Sequence, residues 1–199
     1  MLKVGITGGI GSGKTTICKV FEQLGIPIYY ADDRAKWLMQ HDEVLIHKIS
    51  NLFGEQAYTK SGALNRDYIS SIVFSNRSML DKLNQIVHPA VRIDGENWFA
   101  SHNNQPYALK EAALHFESGG YKLMDKMITV FAPENIRIER VMKRDKTTAE
   151  AVKARIDKQL PDSQKMALSD YVIYNDNQHS IIQQVMQVHL SLQKIGETK

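Results

Sequence analysis

Residues 5 to 16 read "GITGGIGSGKTT" and carry the strongest structural signal in the chain. They fit the pattern G-x-x-x-x-G-K-[ST] with Gly8, Gly13, Lys14 and Thr15. An apolar segment typical of a buried strand precedes them, and residues with helical periodicity follow. This order of strand, glycine-rich loop and helix predicts a phosphate-binding loop, or P-loop. The alternative is a glycine-rich turn that only links a strand to a helix.

The chemistry of this loop follows from its residue types. Glycines let the backbone wrap around an anion with its N–H groups pointing inward, and the helix that follows adds its positive end. We expect Lys14 to reach the β- and γ-phosphate oxygens, and the Thr15 hydroxyl to take one position on a bridging Mg²⁺. The predicted ATP-binding residues of the loop are Gly9, Ile10, Gly11, Ser12, Gly13, Lys14, Thr15 and Thr16.

Composition places the chain among ordinary globular proteins. Of its 199 residues, 43% are hydrophobic and 24% are charged, which suits one substantial core with one or two insertions. The formal net charge of +3 fits anionic small molecules and is low for a dedicated nucleic-acid binder. The single cysteine, Cys18, indicates a reducing compartment, and its position in the first helix predicts a buried thiol. No secretory leader or long apolar run is present, so we expect a cytoplasmic protein without membrane contact.

Four further apolar segments alternate with helical patterns after the P-loop, and they predict strands. This alternation favours an α/β fold of the P-loop NTPase type, with a mostly parallel sheet of about five strands and helices on both faces. Gly25 is expected to end the first helix, and Thr147 with Glu150 forms a capping-box pattern. The strand segments are "IPIYYADD", "PYALKEAALHF", "MITVFAP" and "DYVIYNDN". The last helix is expected to run from about Gln178 to Leu192 and to pack on the sheet with one apolar face, which comprises Ile181, Ile182, Val185, Met186 and Leu190.

The segment 34–104 interrupts this alternation. It is mainly helical and has no strand pattern for the sheet, so we expect a small helical subdomain that binds a substrate. Pro89 lies inside it and either kinks a helix or begins a new one. The nucleotide-binding core then comprises 1–33 and 105–199, with a helical lid at 140–165.

Two aspartates follow the second predicted strand. A carboxylate beside the P-loop can accept the proton of an attacking hydroxyl, as phosphoryl transfer to an alcohol requires. Alternatively, an aspartate that precedes a helix simply caps it. We assign Asp32 to catalysis, and Asp33 to the surface or to the cap of a helix that begins near Arg34.

A run of basic residues spans two predicted helices, and most of it is expected to be solvated surface. Phosphoryl transfer spreads negative charge over three oxygens, and a helical lid that carries arginine can neutralise that charge and exclude water. Glu111, near the end of the third predicted strand, either holds Mg²⁺ through water or lies on the surface. The basic run comprises Arg137, Arg140, Lys143, Arg144, Lys146, Lys153, Arg155 and Lys158.

Eight segments, taken in order, resemble the dephospho-CoA kinase family over most of the chain. The first is shared with other P-loop proteins, whereas the ordered set is specific. The resemblance implies transfer of the ATP γ-phosphate to the ribose 3′-hydroxyl of dephospho-CoA with Mg²⁺, the last step of coenzyme A synthesis. The segments are "TGGIGSGK" at 7 to 14, "ADDRAK" at 31 to 36, "LNRDYISSIVF" at 64 to 74, "IVHPAVR" at 86 to 92, "HFESGGYK" at 115 to 122, "RVMKRD" at 140 to 145, "ARIDKQ" at 154 to 159 and "YVIYND" at 171 to 176.

The resemblance also implies roles for individual residues. Asp32 matches the catalytic aspartate of the family and acts with Lys14 and Arg140, the last of which contacts phosphate. Asn175 matches an asparagine beside the adenine of ATP. The lid residues are Arg155 and Gln159, and the substrate-binding residues are Asp32, Arg66, His88, Arg92 and Glu117. For His88, a structural, hydrogen-bonded histidine at a helix junction remains the alternative.

The chain departs from the family pattern at two places. Many members have an aspartate where Tyr30 stands, so the first carboxylate of a D-A-D sequence is missing. Many also have a proline where Ala113 stands, near the substrate cleft. Some members carry an acidic residue where Glu111 stands, which favours its role in supporting the metal.

Three other functions compete with this interpretation. Another P-loop kinase, acting on a nucleoside monophosphate or a small alcohol, is the nearest, but the segments of the helical insert speak against it. A nucleotide-dependent switch is less favoured, since the chain lacks the N-K-x-D guanine motif. A nucleic-acid binder has little support, because aromatic residues do not interleave with the basic run. The expected partners are therefore ATP and dephospho-CoA, in a monomer or small homo-oligomer.

Overall fold

The computed structural model describes residues 1–198 and confirms an α/β architecture. A single sheet contains β1 (Leu2–Thr7), β2 (Ile28–Tyr30), β3 (Tyr107–Glu111), β4 (Lys126–Phe131) and β5 (Tyr171–Tyr174). Its strands are parallel and lie in the order β2-β3-β1-β4-β5. Central β1 pairs Val4 with Leu109 of β3, and Ile6 with Ile128 of β4. The P-loop therefore leaves the middle of the sheet at its carboxyl edge, where ligands of such sheets bind.

The helices follow the predicted alternation and fill the insert. They are α1 (Lys14–Gln23), α2 (Ala31–His41), α3 (Glu43–Phe53), α4 (Arg66–Ser75), α5 (Arg77–Ser101), α6 (Glu134–Asp145), α7 (Ala149–Ile156), α8 (Asp162–Ala167) and α9 (Ile181–Glu197). As expected, Gly25 closes the end of α1: it lies two residues after Gln23, has a left-handed φ of 78° and donates its N–H to the Glu22 carbonyl. Pro89 neither ends nor begins a helix, since α5 runs through it.

The chain divides into two compact units. The first contains Met1–Tyr29 and residues 99–198, and the second contains Tyr30–Trp98. The first unit holds the sheet, and α9 packs against α1, β1, β3 and β5, while α8 packs against β4. These boundaries lie a few residues from the predicted limits of the helical insert, 34 and 104, because α2 begins directly after β2 and α5 continues to Ser101.

The second unit is an all-helical body with its own apolar core. Its buried residues come from α2 to α5 and from the short 3₁₀ turn Glu55–Ala57. The Arg34 guanidinium makes a two-point ion pair with Asp94, with nitrogen–oxygen distances of 2.9 and 2.6 Å. The core residues are Leu38, Leu45, Ile49, Phe53, Ala57, Ile69 and Val87. This unit can therefore bury a core without a strand of the sheet.

Two local predictions are wrong, and one pair of alternatives is decided. Asp33 is exposed, so of its two predicted roles the surface residue holds; it does not cap a helix near Arg34, because α2 already begins at Ala31 with Tyr30 as its N-cap. The cap of α7 is Thr148 and not Thr147; the Thr148 hydroxyl accepts the Ala151 N–H at 3.3 Å. The apolar pattern of α9 merges two faces: Val185 is buried with Val188, His189 and Leu192, whereas the exposed face carries Ile182, Met186 and Leu190.

Within residues 1–198, no helix combines the length and the apolar character that crossing a membrane requires.

Candidate active site

The P-loop connects β1 to α1 and is held from several sides. Lys14 donates from Nζ to the Gly8 carbonyl at 3.0 Å, inside the loop itself. Gly13 has a left-handed φ of 92°, which an L-residue adopts only at a cost. Asn175, which follows β5, donates its side-chain amide to the Ser12 carbonyl at 2.8 Å. A Cβ on Gly13 would overlap Asn175 Nδ2. The glycine is thus required by the backbone and by the close approach of Asn175.

Two buried polar atoms at this loop have no hydrogen-bond partner among residues 1–198. They are the Ser12 hydroxyl and Nη1 of Arg140. The other terminal nitrogen of Arg140, Nη2, donates to Asn177 Oδ1 at 2.9 Å and to Asn175 Oδ1 at 3.4 Å. A Cβ built on Gly13 would lie 3.9 Å from Arg140 Nη1, so this donor is close to the loop. A buried, unsatisfied polar group costs about 1–3 kcal/mol, which an anion oxygen would offset.

Glu111 lies at the carboxyl end of β3, next to Ile6 of β1. It is only 7% exposed, which contradicts the alternative of a surface residue. Burial raises the pKa of the Cys18 thiol far above its usual value, and the Glu111 charge raises this pKa further, whereas the Lys14 charge lowers it. Both charges therefore act on the same part of α1. The buried thiol is confirmed, and it stays protonated and unreactive.

The predicted lid contains α7 and the segment that joins it to α8. Gln159 accepts the Ile10 N–H on its Oε1 at 2.9 Å, so this side chain contacts the P-loop directly. Arg155 is exposed and donates to Asp145 Oδ2 at 3.0 Å. Hydrogen bonding from Arg144, and then from Arg155, lowers the pKa of Asp145 below its usual value. The structure thus brings Gln159 to the loop, whereas Arg155 pairs within the lid.

Glu117 anchors the segment that follows Gln159. Its Oε1 accepts the Leu160 N–H at 2.8 Å and lies 3.2 Å from Lys165 Nζ. The Lys165 side chain is fully buried, and its ammonium forms this ion pair without the geometry of a hydrogen bond. A carboxylate within reach is what allows a lysine to stay charged when buried. The contacts of Glu117 are therefore with α8 and its approach, and a role in binding substrate stays a prediction.

The other predicted substrate residues belong to the second unit. Asp32 is exposed in the first turn of α2, and Arg66 is exposed at the start of α4. His88 and Arg92 are exposed one turn apart on α5, so they share a face of that helix. The alternative for His88 placed it at a helix junction, but α5 runs through this position without a break. Arg92 lies 3.9 Å from Glu96, a loose surface pair.

Sequence reasoning missed an ion pair at the P-loop. Arg137 was expected to belong to the solvated surface, but it is 4% exposed and its Nη2 lies 2.8 Å from Asp162 Oδ2. Its Nε donates to the Ala132 carbonyl at 3.1 Å. The burial of Arg137 could have been inferred from Val141, an apolar residue four positions later. Residues four apart share a face of a helix, and Val141 is indeed buried. Asp162 was marked only by Pro161 before it, a helix-start signal.

Comparison with known proteins agrees with this geometry. The sequence profile of the dephospho-CoA kinase family matches residues 2–181. A dephospho-CoA kinase of Porphyromonas gingivalis is 38% identical over 189 residues, which cover 94% of this chain and 93% of that protein. The solved dephospho-CoA kinase of Campylobacter jejuni is 27% identical and superposes with a TM-score of 0.72 over 96% of this chain and 97% of that one. A Thermus thermophilus structure, TT1252, is 29% identical with a TM-score of 0.83 and 96% coverage of both chains. This chain, a kinase by its relatives, belongs to the dephospho-CoA kinase family.

Proposed function

We propose that this chain transfers the γ-phosphate of ATP to the ribose 3′-hydroxyl of dephospho-CoA, giving CoA and ADP. The observation that carries this proposal is a pair of buried polar atoms at the P-loop, the Ser12 hydroxyl and Arg140 Nη1, which have no hydrogen-bond partner within residues 1–198. Phosphate oxygens are acceptors that would satisfy both atoms. Membership of the family then supplies the acceptor substrate.

In this proposal the residues of the loop bind the phosphates of ATP. Lys14 leaves the Gly8 carbonyl and neutralises the β- and γ-phosphates, and the loop from Gly9 to Thr16 surrounds them. The N–H groups of Ile10, Ser12 and Thr16 already bind Gln159, Gly9 and Gly13, so the other N–H groups of the loop bind the phosphates. Arg140 stabilises the charge that develops on the transferred group, since its guanidinium is already half-oriented by two asparagines. Asn175 braces the loop and lies beside the adenine.

The residues also suit a magnesium ion. Magnesium prefers oxygen ligands and keeps several waters, and the exposed Thr15 hydroxyl and the buried Glu111 carboxylate are of this kind. Thr15 would bind the ion directly, and Glu111 would hold it through water. When bound, the ion would supply positive charge that stabilises the negative phosphates.

The residues proposed for the acceptor are those that match the substrate-binding residues of the family. Asp32 accepts the proton of the 3′-hydroxyl, and Arg66, His88, Arg92 and Glu117 bind the rest of dephospho-CoA. The lid residues Arg155 and Gln159 exclude water during transfer. The proposed protein works in the cytoplasm as a monomer or small homo-oligomer and binds neither nucleic acid nor membrane.

The test is a steady-state assay with MgATP and three conditions: dephospho-CoA, CoA, or no acceptor. We expect ADP release only with dephospho-CoA, and mass spectrometry should show an acceptor heavier by one phosphate. ADP release without acceptor, or no turnover by a chain that binds ATP, would overturn the proposal.

The role of Arg140 has a matched control on the same helix. Arg140→Met should lower kcat/KM for ATP by roughly 10²-fold, the loss typical of one oriented donor to a developing oxyanion. Lys143→Met removes the same charge from an exposed position of α6 and should leave kcat/KM within about twofold. Equal losses in the two variants would reduce Arg140 to a contribution of general charge.

A further inference from the structure

One wall of the P-loop lies against a buried ion pair that the transfer reaction itself does not use. Arg137 Nη2 and Asp162 Oδ2 are 2.8 Å apart, and the two side chains are 4% and 18% exposed. Arg137 comes from the first turn of α6, and Asp162 is the first residue of α8. The pair therefore joins two helices from separate parts of the chain.

Both members of the pair touch the loop. A Cβ built on Gly9 would overlap Arg137 Nη1 and would lie 3.1 Å from Asp162 Oδ1. A Cβ on Gly11 would lie 2.6 Å from the Arg137 carbonyl oxygen and 2.8 Å from Val141. The first turns of α6 thus pack directly on the loop at two of its glycines, and the packing leaves no space for a side chain at either.

The same helix α8 reaches the loop by a second route. Gln159, three residues before α8, accepts the Ile10 N–H at 2.9 Å. The segment between them is fixed by Glu117, which binds the Leu160 N–H and pairs with buried Lys165 of α8. Gly9, Ile10 and Gly11 are therefore contacted by a single connected set of groups. The Ile10 N–H is taken up by Gln159, so the set fixes the backbone path on which the Gly9 and Gly11 N–H groups lie. A phosphate bound by those two groups would depend on the position of this backbone.

We propose that the Arg137–Asp162 ion pair positions the Gly9–Gly11 wall of the P-loop and couples nucleotide binding to the placement of α8. Arg137 is a positioning residue, since its guanidinium is buried against Gly9 and acts through the backbone of the loop. The inference rests on the proposed function only in that the loop binds the phosphates of a nucleotide. It does not depend on which acceptor is phosphorylated.

The experiment measures the affinity of the full chain for MgADP by titration calorimetry. Asp162→Asn keeps the shape of the side chain but removes the charge that compensates Arg137. Arg137→Gln removes the guanidinium group that pairs with Asp162. Each should raise the Kd for MgADP about tenfold and lower kcat/KM for ATP by roughly 10²-fold. A loss of this size is expected when the groups that position a substrate shift by about 1 Å. Because the two residues act as a unit, the double variant should be no worse than the poorer single variant.

Asp81→Asn is the control, since it removes one partner of the exposed Arg77–Asp81 pair of α5, where the two groups are 3.3 Å apart. It should leave the Kd for MgADP within about twofold. Asp162→Glu keeps the charge on a longer side chain; an intermediate Kd supports positioning, whereas a wild-type Kd means that charge alone matters and overturns it. This variant also decides the matter if the neutral variants fail to fold.

Hydrogen exchange separates positioning from simple stabilisation. If the pair positions the loop, Asp162→Asn should speed exchange in a peptide that covers Gly8–Gly13 by more than tenfold, while the peptide of β1 keeps its wild-type rate. If exchange rises uniformly and the Kd for MgADP of the folded variant is unchanged, the pair only stabilises the fold and the inference is wrong. Wild-type protein that binds MgADP but does not phosphorylate dephospho-CoA would refute the proposed acceptor alone.

Discussion

Gly13→Ala should damage the P-loop in two separable ways. At the φ of 92° an alanine costs about 1–2 kcal/mol more than glycine, because its Cβ crowds the following carbonyl. The same Cβ would overlap the Asn175 amide and displace it from the Ser12 carbonyl, which is buried and accepts at 2.8 Å. Leaving those groups unsatisfied costs about 1–3 kcal/mol more. We therefore expect the free energy of unfolding to fall by roughly 2–5 kcal/mol.

Gly25→Ala is the matched variant that isolates the first of these costs. Gly25 has a φ of 78°, also left-handed, but a Cβ there would meet no atom of the described residues within 4 Å. Urea denaturation should give a loss of about 1–2 kcal/mol for this variant, with the Kd for MgADP unchanged. Gly13→Ala should lose roughly 1–3 kcal/mol more and bind MgADP more weakly.

A third variant tests whether Asn175 causes this difference. In an Asn175→Ala background the alanine at 13 no longer displaces an amide, so Gly13→Ala should then cost only what Gly25→Ala costs. The reasoning is refuted if Gly13→Ala and Gly25→Ala are equally stable and bind MgADP equally in the wild-type background. In that case the amide moves aside freely and does not brace the loop.

Three further substitutions test other steps. Asp32→Asn should lower kcat by roughly 10²–10⁴-fold and keep the Kd for MgADP within about twofold, because the proposal gives Asp32 only the role of proton acceptor. Asp33→Asn changes the exposed neighbour and should leave kcat unchanged; equal effects would remove Asp32 from the mechanism. Lys14→Met should lower kcat/KM for ATP by at least about 10²-fold, and an active variant would contradict the assignment of the loop. Burial lowers the pKa of His115 to about 4, whereas a histidine of the unfolded chain has a pKa near 6.5. The neutral, buried His115 therefore contributes to stability above pH 6.5, and this contribution is lost as pH falls toward 4, because the unfolded chain then binds a proton that the folded chain does not. His115→Gln should therefore reduce the fall in the free energy of unfolding between pH 7 and 4 by about 3 kcal/mol, and an unchanged pH profile in denaturation would show that another group titrates.

The parts of the fold that sequence predicted are those in which local signals and packing agree. The G-x-x-x-x-G-K-[ST] pattern fixes strand, loop and helix together, since only that order builds a phosphate cradle. β3 was predicted despite the charges of Lys110 and Glu111, and Tyr107, Ala108, Leu109 and Glu111 are indeed buried. The cap of α7 moved by one residue, because Thr147 and Thr148 have the same chemistry and the backbone path chooses between them.

The parts that sequence missed depend on partners distant in the chain. The pattern of charges predicted a surface position for Arg137, Lys143 and Lys158, and this is correct for the two lysines. It is wrong for Arg137, because the partner of Arg137 is Asp162, which lies 25 positions further along the chain and outside the pattern. A charged arginine is buried at great cost unless an opposite charge pairs with it. The burial of Arg137 can therefore be predicted only if its partner Asp162 is also predicted. Similarly, the α9 pattern held two apolar faces, and the sheet could cover only one. The residues of the candidate site differ in the same way. The P-loop is specified by residues adjacent in sequence, whereas Arg140, Gln159 and Arg137 reach the loop through long-range contacts that form only in the folded chain. For that reason we expect substitutions at Asp162 to be compensated at Arg137 rather than within the loop.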